Sequence, residues 1–289
     1  MAEELNPASG ITDIHIHIQP WDQLRPAVRQ RMAIGRSDFD LIQRMIADPA
    51  VFLDHLDAVG IVRAGIINYP SPDIMGFDDG ATIFSARWCG RRPDRLLAFG
   101  GVHPRFTKDA RDDMNRFLDL GIRGIKLHPP HQVFELTDYR EKGLKSLETI
   151  FSVAQERKVP VMIHTGTSIF PGARSRLGDP MGVDDVAIDF PELKIILAHG
   201  GRPLWGETAI FLLRRFPNVH MDISGIPPRR LLHYFPRLAD FADKVLYGSD
   251  WPAPGVPSLR EILDGVAAIP LPPEAREKIM GGNARRLFP

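Results

Sequence analysis

Ten histidines occur in the 289-residue chain, and their placement is its strongest chemical signal. His15 and His17 are separated by one residue in the run ITDIHIHI. His103, His128, His164 and His199 each close a short apolar run, and Asp250 closes the last one, KVLYGSD. Successive strand side chains alternate between faces, so the H-x-H pair shares one face, with its members ~7 Å apart along the strand. Imidazoles at that spacing can converge on one ion, with zinc–nitrogen distances of about 2 Å. A single histidine at a strand end is more often a hydrogen-bonded core or rim residue. An H-x-H on the first strand, histidines on the fifth and sixth and an aspartate on the last together predict a metal centre.

That centre needs a scaffold that brings several strand ends to one place. Eight apolar runs are predicted as strands: Ile11–Ile18, Val62–Asn68, Leu96–His103, Ile122–His128, Val159–His164, Lys194–His199, Asn218–Ser224 and Lys244–Asp250. Amphipathic segments lie between them. These are Phe39–Val59 (divided at Pro49), Gly80–Cys89, Ala110–Leu120, Tyr139–Arg157, a short Gly182–Phe190, Leu204–Phe216, Arg229–Phe241 and Leu259–Ala268, with Pro273–Phe288 closing the chain. Eight strands each followed by a helix predict a single-domain α/β protein, a (β/α)8 TIM barrel over 11–289 behind an N-terminal tail at 1–10. A doubly wound open sheet is the alternative, but no G-x-G-x-x-G follows the first strand. Long loops after strands one (19–38) and five (165–181) leave the end of the barrel where such enzymes build their sites.

With these elements in place the sequence resembles a known family. TDIHIH at 12–17, VMIHTG at 161–166, ILAHG at 196–200 and YGSDWP at 247–252 resemble the amidohydrolase superfamily of metal-dependent hydrolases. The branch most like it is amidohydrolase family 2, which includes pyrone dicarboxylate lactonases and aminocarboxymuconate semialdehyde decarboxylases. GIKLHP at 124–129 and GNARRLF at 282–288 also fit, so the resemblance spans nearly the whole chain. It implies His15, His17, His164 and Asp250 as metal ligands, with Asp250 also acting on the catalytic water. It implies His199 facing that water or the substrate, which makes Asp250 and His199 the catalytic pair.

Three imidazoles and a carboxylate suit Zn2+, with Mn2+ as the alternative, and leave a position for water. Such binding lowers the pKa of water from 15.7 toward about 7. The expected reaction is attack of this activated water on an ester, lactone or amide carbonyl. The alternative is nonoxidative decarboxylation of an aromatic or muconate-like acid on the same residues; a noncatalytic barrel fits less well, because every ligand position is filled. Lys126 shares a face with His128. It is expected to be a barrel-interior lysine paired with a carboxylate such as Asp13, although two-metal members of the superfamily carry a carboxylated lysine on this strand.

For the substrate, His128 is expected to line the pocket and Trp251 to wall it. Trp21, Arg25, Arg174 and Arg176 on the two long loops are expected to bind a small carboxylated ring, the guanidinium fork fixing its carboxylate. Arg202, Asp222 and Ser224 are further rim candidates. The balance of 36 basic and 36 acidic residues gives no global field for nucleic acid or an anionic membrane. One cysteine excludes an intrachain disulfide and a thiolate cluster. The polar start, MAEELNPASG, has no signal-peptide core, so a cytoplasmic protein is expected, with a small molecule as its partner and self-association left open. There is no G-x-S-x-G elbow and no phosphate-binding G-x-x-x-x-G-K-[ST].

Overall fold

The computed structural model describes residues 10–289, so the expected tail lies, but for Gly10, outside the described residues. Eight parallel strands follow one another in sheet order: β1 (Ile11–Ile16), β2 (Ile61–Ile66), β3 (Leu96–Gly100), β4 (Gly124–Leu127), β5 (Val161–His164), β6 (Ile195–Ala198), β7 (Val219–Asp222) and β8 (Val245–Leu246). Backbone bonds close β8 onto β1: Ile14 N–H reaches the Tyr247 carbonyl at 3.1 Å, Asp250 N–H the His15 carbonyl at 2.8 Å, and His17 N–H the Trp251 carbonyl at 2.8 Å. The fold is a (β/α)8 barrel, as the alternation of apolar runs and amphipathic segments predicts. Most strand residues are buried on both faces, the pattern of parallel strands under a helical coat.

Leu97, Phe99, Met162, Ile196 and Leu246 pack in one cluster with Ala284 of the last helix and Phe288 just beyond it. Arg285 reaches the Gly10 carbonyl, which places that helix at the N-terminal ends of the strands. The helix runs Pro273–Glu277, a π-turn over Lys278–Gly282 and Asn283–Leu287. In that turn the Ile279 carbonyl accepts the Tyr247 N–H (2.9 Å), so the irregularity supports the end of β8.

Pro49 divides the first helical segment as expected: helices run Phe39–Ala47 and Pro49–Val59, with Asp48 capping the second. Several details differ from the sequence reading: the expected helix Tyr139–Arg157 is broken into Asp138–Glu141 and Lys145–Glu156, and Arg229–Phe241 into the helix Pro228–Tyr234 and a 3-10 segment from Leu238. The first long loop contains a helix, Pro26–Ala33, and the second contains 3-10 turns, Ser175–Gly178 and Pro180–Gly182. The ladders of β1 and β8 are also shorter than their apolar runs, because the chain beyond them turns over the barrel mouth. No helix among the described residues is long and apolar enough to cross a membrane.

Candidate metal centre and its cavity

At the C-terminal ends of the strands a cavity of about 250 Å³ is lined by His15, His17, Lys126, His164, His199 and Asp250, among others. The β1–β8 seam assembles three of them. His17 Nε2 lies 3.0 Å and His15 Nε2 3.7 Å from the same Asp250 oxygen, Oδ1. Candidate ligand atoms of His15, His17 and Asp250 all lie within 4.8 Å of one another.

His15 is oriented from behind. Its Nδ1 meets Asp222 Oδ2 at 2.8 Å and Ser224 Oγ at 3.0 Å, so the proton belongs on Nδ1 and the lone pair on Nε2. His15 Nε2 and His164 Nε2 are buried nitrogens with no hydrogen-bond partner. Burial, then the Lys126 charge, lowers the pKa of His15 and takes that of His164 well below the usual imidazole range. Both rings are therefore neutral donors. Burial opposes ionisation of Asp250, but the hydrogen bond from His17 and the Arg202 charge leave its pKa below the ordinary value. Neutral imidazoles with unpartnered nitrogens beside an ionised carboxylate are the donor set a divalent cation requires.

His164 lies outside the tight group, with its ring centroid 4.8 Å from that of His199. A second group, His15, His199 and Asp222, is equally compact. Its atoms already satisfy one another: Asp222 accepts from His15 and from His199 N–H (3.0 Å), and Ser224 Oγ bonds His199 Nδ1 at 2.8 Å. This second group is an orienting network. Burial would raise the Asp222 pKa, but His15 and the donated hydrogen bonds hold it at about 2.

His199 and Asp250 are non-glycine residues with φ of 66° and 67°. Strand alternation would turn His199 away from Ala198's face; the left-handed backbone returns it to the cavity. His199 Nδ1 also meets the Ser224 carbonyl at 3.0 Å, which makes it a donor there and leaves Nε2 as an acceptor. Gly225 completes this corner. With φ of 62°, a Cβ placed on it would stand 2.6 Å from both Arg202 Nη2 and Asp250 Oδ2.

The β4 side is arranged differently. The His128 ring stacks on His164 at 3.7 Å and on His131 at 3.6 Å, nearly parallel to both. His131, on the single turn Pro129–Gln132, is pinned by Tyr69 Oη at Nδ1 (3.0 Å) and Ser168 Oγ at Nε2 (2.7 Å). His128 lines the cavity as expected, together with Tyr69, His131, Phe170 and Arg202.

The other substrate-side expectations are corrected. Trp21 is buried against Phe39 (5.7 Å), where an indole gains most from packing. Trp251 follows Asp250 and so points outward, between His55 and Arg36 and outside the cavity lining. Arg25 is exposed and donates to the Pro72 carbonyl. Arg176 is exposed and paired with Glu135 at 2.5 Å, and Arg174 is exposed outside the cavity. Each exposed loop arginine keeps its charge in water, alone or with a surface partner. Among the candidate arginines Arg202 alone reaches the cavity, with its Nη2 3.7 Å from Asp250 Oδ2.

Lys126 makes no ion pair with Asp13. Asp13 instead accepts the N–H groups of His15 and Ser249 (3.0 and 3.1 Å), and burial raises its pKa to about 7. Lys126 lines the cavity, where burial lowers its pKa to about 8. His103, at the end of its run, stacks on Phe106 outside this cavity. The residues missed from sequence are Tyr69 and His131. The H-x-x-H spacing of His128 and His131 across Pro129–Pro130 was the available signal for the second.

The class the fold and site define is a closed parallel barrel with histidines and an aspartate converging on a small cavity at its strand ends. The chain belongs to the amidohydrolase family, whose model, described as Amidohydrolase, matches residues 12–289. Among solved structures it resembles an uncharacterised TIM-barrel protein from Bordetella bronchiseptica at 23% identity and TM-score 0.71, covering 96% of this chain and 97% of that one. It also resembles a probable 2-pyrone-4,6-dicarboxylic acid hydrolase from Acinetobacter baumannii solved with citric acid bound (16%, TM-score 0.67, 96% and 99% covered). A third likeness is to a 5-carboxyvanillate decarboxylase from Sphingomonas paucimobilis (17%, TM-score 0.62, 97% and 99%). At these identities the likenesses establish the fold. Comparison with curated protein sequences gives no match.

Proposed function

We propose that the protein is a metal-dependent hydrolase that opens an ester, lactone or amide bond of a small carboxylated substrate. One observation carries this reading: His15 Nε2 and His164 Nε2 are buried without partners beside the Asp250 carboxylate, while Asp222 fixes the His15 tautomer. His15, His17, His164 and Asp250 would hold the cation, Zn2+ first and Mn2+ second. Bound there, it supplies Lewis acidity to a carbonyl and acidity to a water.

The remaining work belongs to the chain. His199 Nε2 takes the proton of the attacking water, because its Nδ1 is held by the Ser224 carbonyl and its neutral form is favoured, first by burial and then by the Arg202 charge. Returned to the leaving oxygen or nitrogen, that proton completes hydrolysis. Arg202 receives the substrate carboxylate in the role first expected of Arg25, Arg174 and Arg176. His128 and Tyr69 wall the substrate on the β4 side, and a cavity of about 250 Å³ limits it to a small molecule.

The test is turnover of a panel of carboxylated lactones, their neutral amides and aromatic acids, followed by base consumption and CO2 release. Lactone opening that consumes base, with the acid preferred over the amide and the preference lost in Arg202→Gln, supports the reading. CO2 release from an aromatic acid without lactone turnover replaces it with a carboxy-lyase. Equal turnover of acid and amide in wild type and variant removes Arg202 from the argument and leaves the cation chemistry standing.

A further inference from the structure

A second cavity, of about 460 Å³, lies beside the first, under the turns that follow β7 and β8. It is nearly twice the size of the catalytic cavity and of opposite character. Its walls are mainly Ile223, Ile226, Leu231, Val256, Ile262 and Val266. An apolar space of this size is within the range of small-molecule sites and above the volume of the catalytic cavity.

Three polar residues, Arg229, Ser249 and Glu261, mark its lining, and the Ser249 hydroxyl already accepts the Trp251 N–H at 3.1 Å. Glu261 is occupied: its carboxylate accepts the Ser258 N–H (3.0 Å) and hydroxyl (2.6 Å) as the reciprocal half of a helix cap. Arg229 is exposed and has no acidic partner within ion-pair distance among the described residues, although most arginines here pair with a carboxylate or a carbonyl. The cavity therefore offers an apolar chamber with one uncommitted guanidinium.

We propose that this cavity is a binding site for an amphiphilic carboxylate, its hydrocarbon part among Ile223, Ile226, Leu231 and Val266 and its carboxylate on Arg229. The site is separate from the catalytic cavity and independent of the hydrolase reading. Gly225 lines both cavities.

Octanoate is the probe, titrated calorimetrically into the whole protein with octan-1-ol as the uncharged control. One octanoate per chain is expected to bind, with octan-1-ol weaker. Arg229→Gln should weaken octanoate by about tenfold, the scale of one charge-assisted hydrogen bond, and leave octan-1-ol unchanged. Val256→Trp, which fills the chamber, should abolish both, and Arg202→Gln, in the other cavity, should change neither. Arg229 is exposed, so its variant keeps the proposal open to refutation even where Val256→Trp fails to fold. No octanoate binding, binding indifferent to Arg229→Gln, or binding lost in Arg202→Gln overturns it.

Discussion

Histidines on opposite walls of the cavity are arranged in opposite ways. At the β1–β8 seam, His15 and His17 meet edge to face with centroids 5.2 Å apart, and their nitrogens converge on one aspartate oxygen. On the β4 wall, His128 lies between His131 and His164 with the rings nearly parallel, 3.6 and 3.7 Å away. Imidazole lone pairs lie in the ring plane. Edge-on rings can therefore aim at a common point, whereas stacked rings send their lone pairs along parallel lines. The same residue type makes the proposed cation seat at the seam and a flat wall across from it, with His164 at the junction.

The sharpest way to break this contrast is to remove the seam pair. The His15→Ala/His17→Ala variant should fall from about one divalent ion per chain to almost none and lose turnover with it. Equal metal content in variant and wild type would end the assignment. Two ions per wild-type chain, with added density on Lys126, would extend the seat toward β4.

His199 separates holding from proton transfer. His199→Ala is expected to keep its ion and lose about 10²–10⁴-fold in kcat, the usual cost of a missing acid–base group. Loss of ion and activity together would move His199 into the seat. A smaller effect belongs to Asp222→Asn, which leaves the rings in place but disturbs the His15 tautomer. Metal affinity should drop about 10–100-fold, and an unchanged affinity would show that His15 needs no support from behind.

The smallest effect is expected on the wall. His131→Phe should bind metal normally and lose about 1–3 kcal/mol of stability through the orphaned Tyr69 and Ser168 hydroxyls. Its signature is in acid. Burial lowers the His131 pKa from 6.5 to about 3, so between those values the unfolded chain binds a proton that the folded chain refuses. Wild-type stability therefore declines as pH falls through that window, and the variant should decline less steeply, by up to about 1.4 kcal/mol per pH unit. Parallel urea-denaturation profiles against pH would mean that the wall is not neutral.

The barrel was legible because apolar runs and helical periods alternate without interruption. That His15, His17 and His164 stand at the barrel mouth was legible from strand parity and run ends. What lies past the ladders was not. His199 and Asp250 reach the cavity through left-handed backbone that no spacing announces. The loop arginines were read from chain proximity to the site, but a charged side chain on a loop goes to water or to a carboxylate, as Arg176 goes to Glu135. Arg202, one short turn beyond β6, had less freedom to leave. Tyr69 and His131 fall just after their strands, where turn geometry decides which way a side chain faces.

The seam that unites His17 with Asp250 joins residues 233 positions apart. Synthesis delivers β1 first and β8 almost last, at about 5–20 residues per second. Through that interval β1 lacks its closing neighbour, and the histidine pair lacks the carboxylate that completes the seat. Pairing at such sequence separation is slow and leaves strand edges open to association meanwhile. Cation capture at the proposed seat would therefore be confined to the end of folding, and a nascent chain that stops short of residue 250 cannot assemble the seat however much of the barrel it has made.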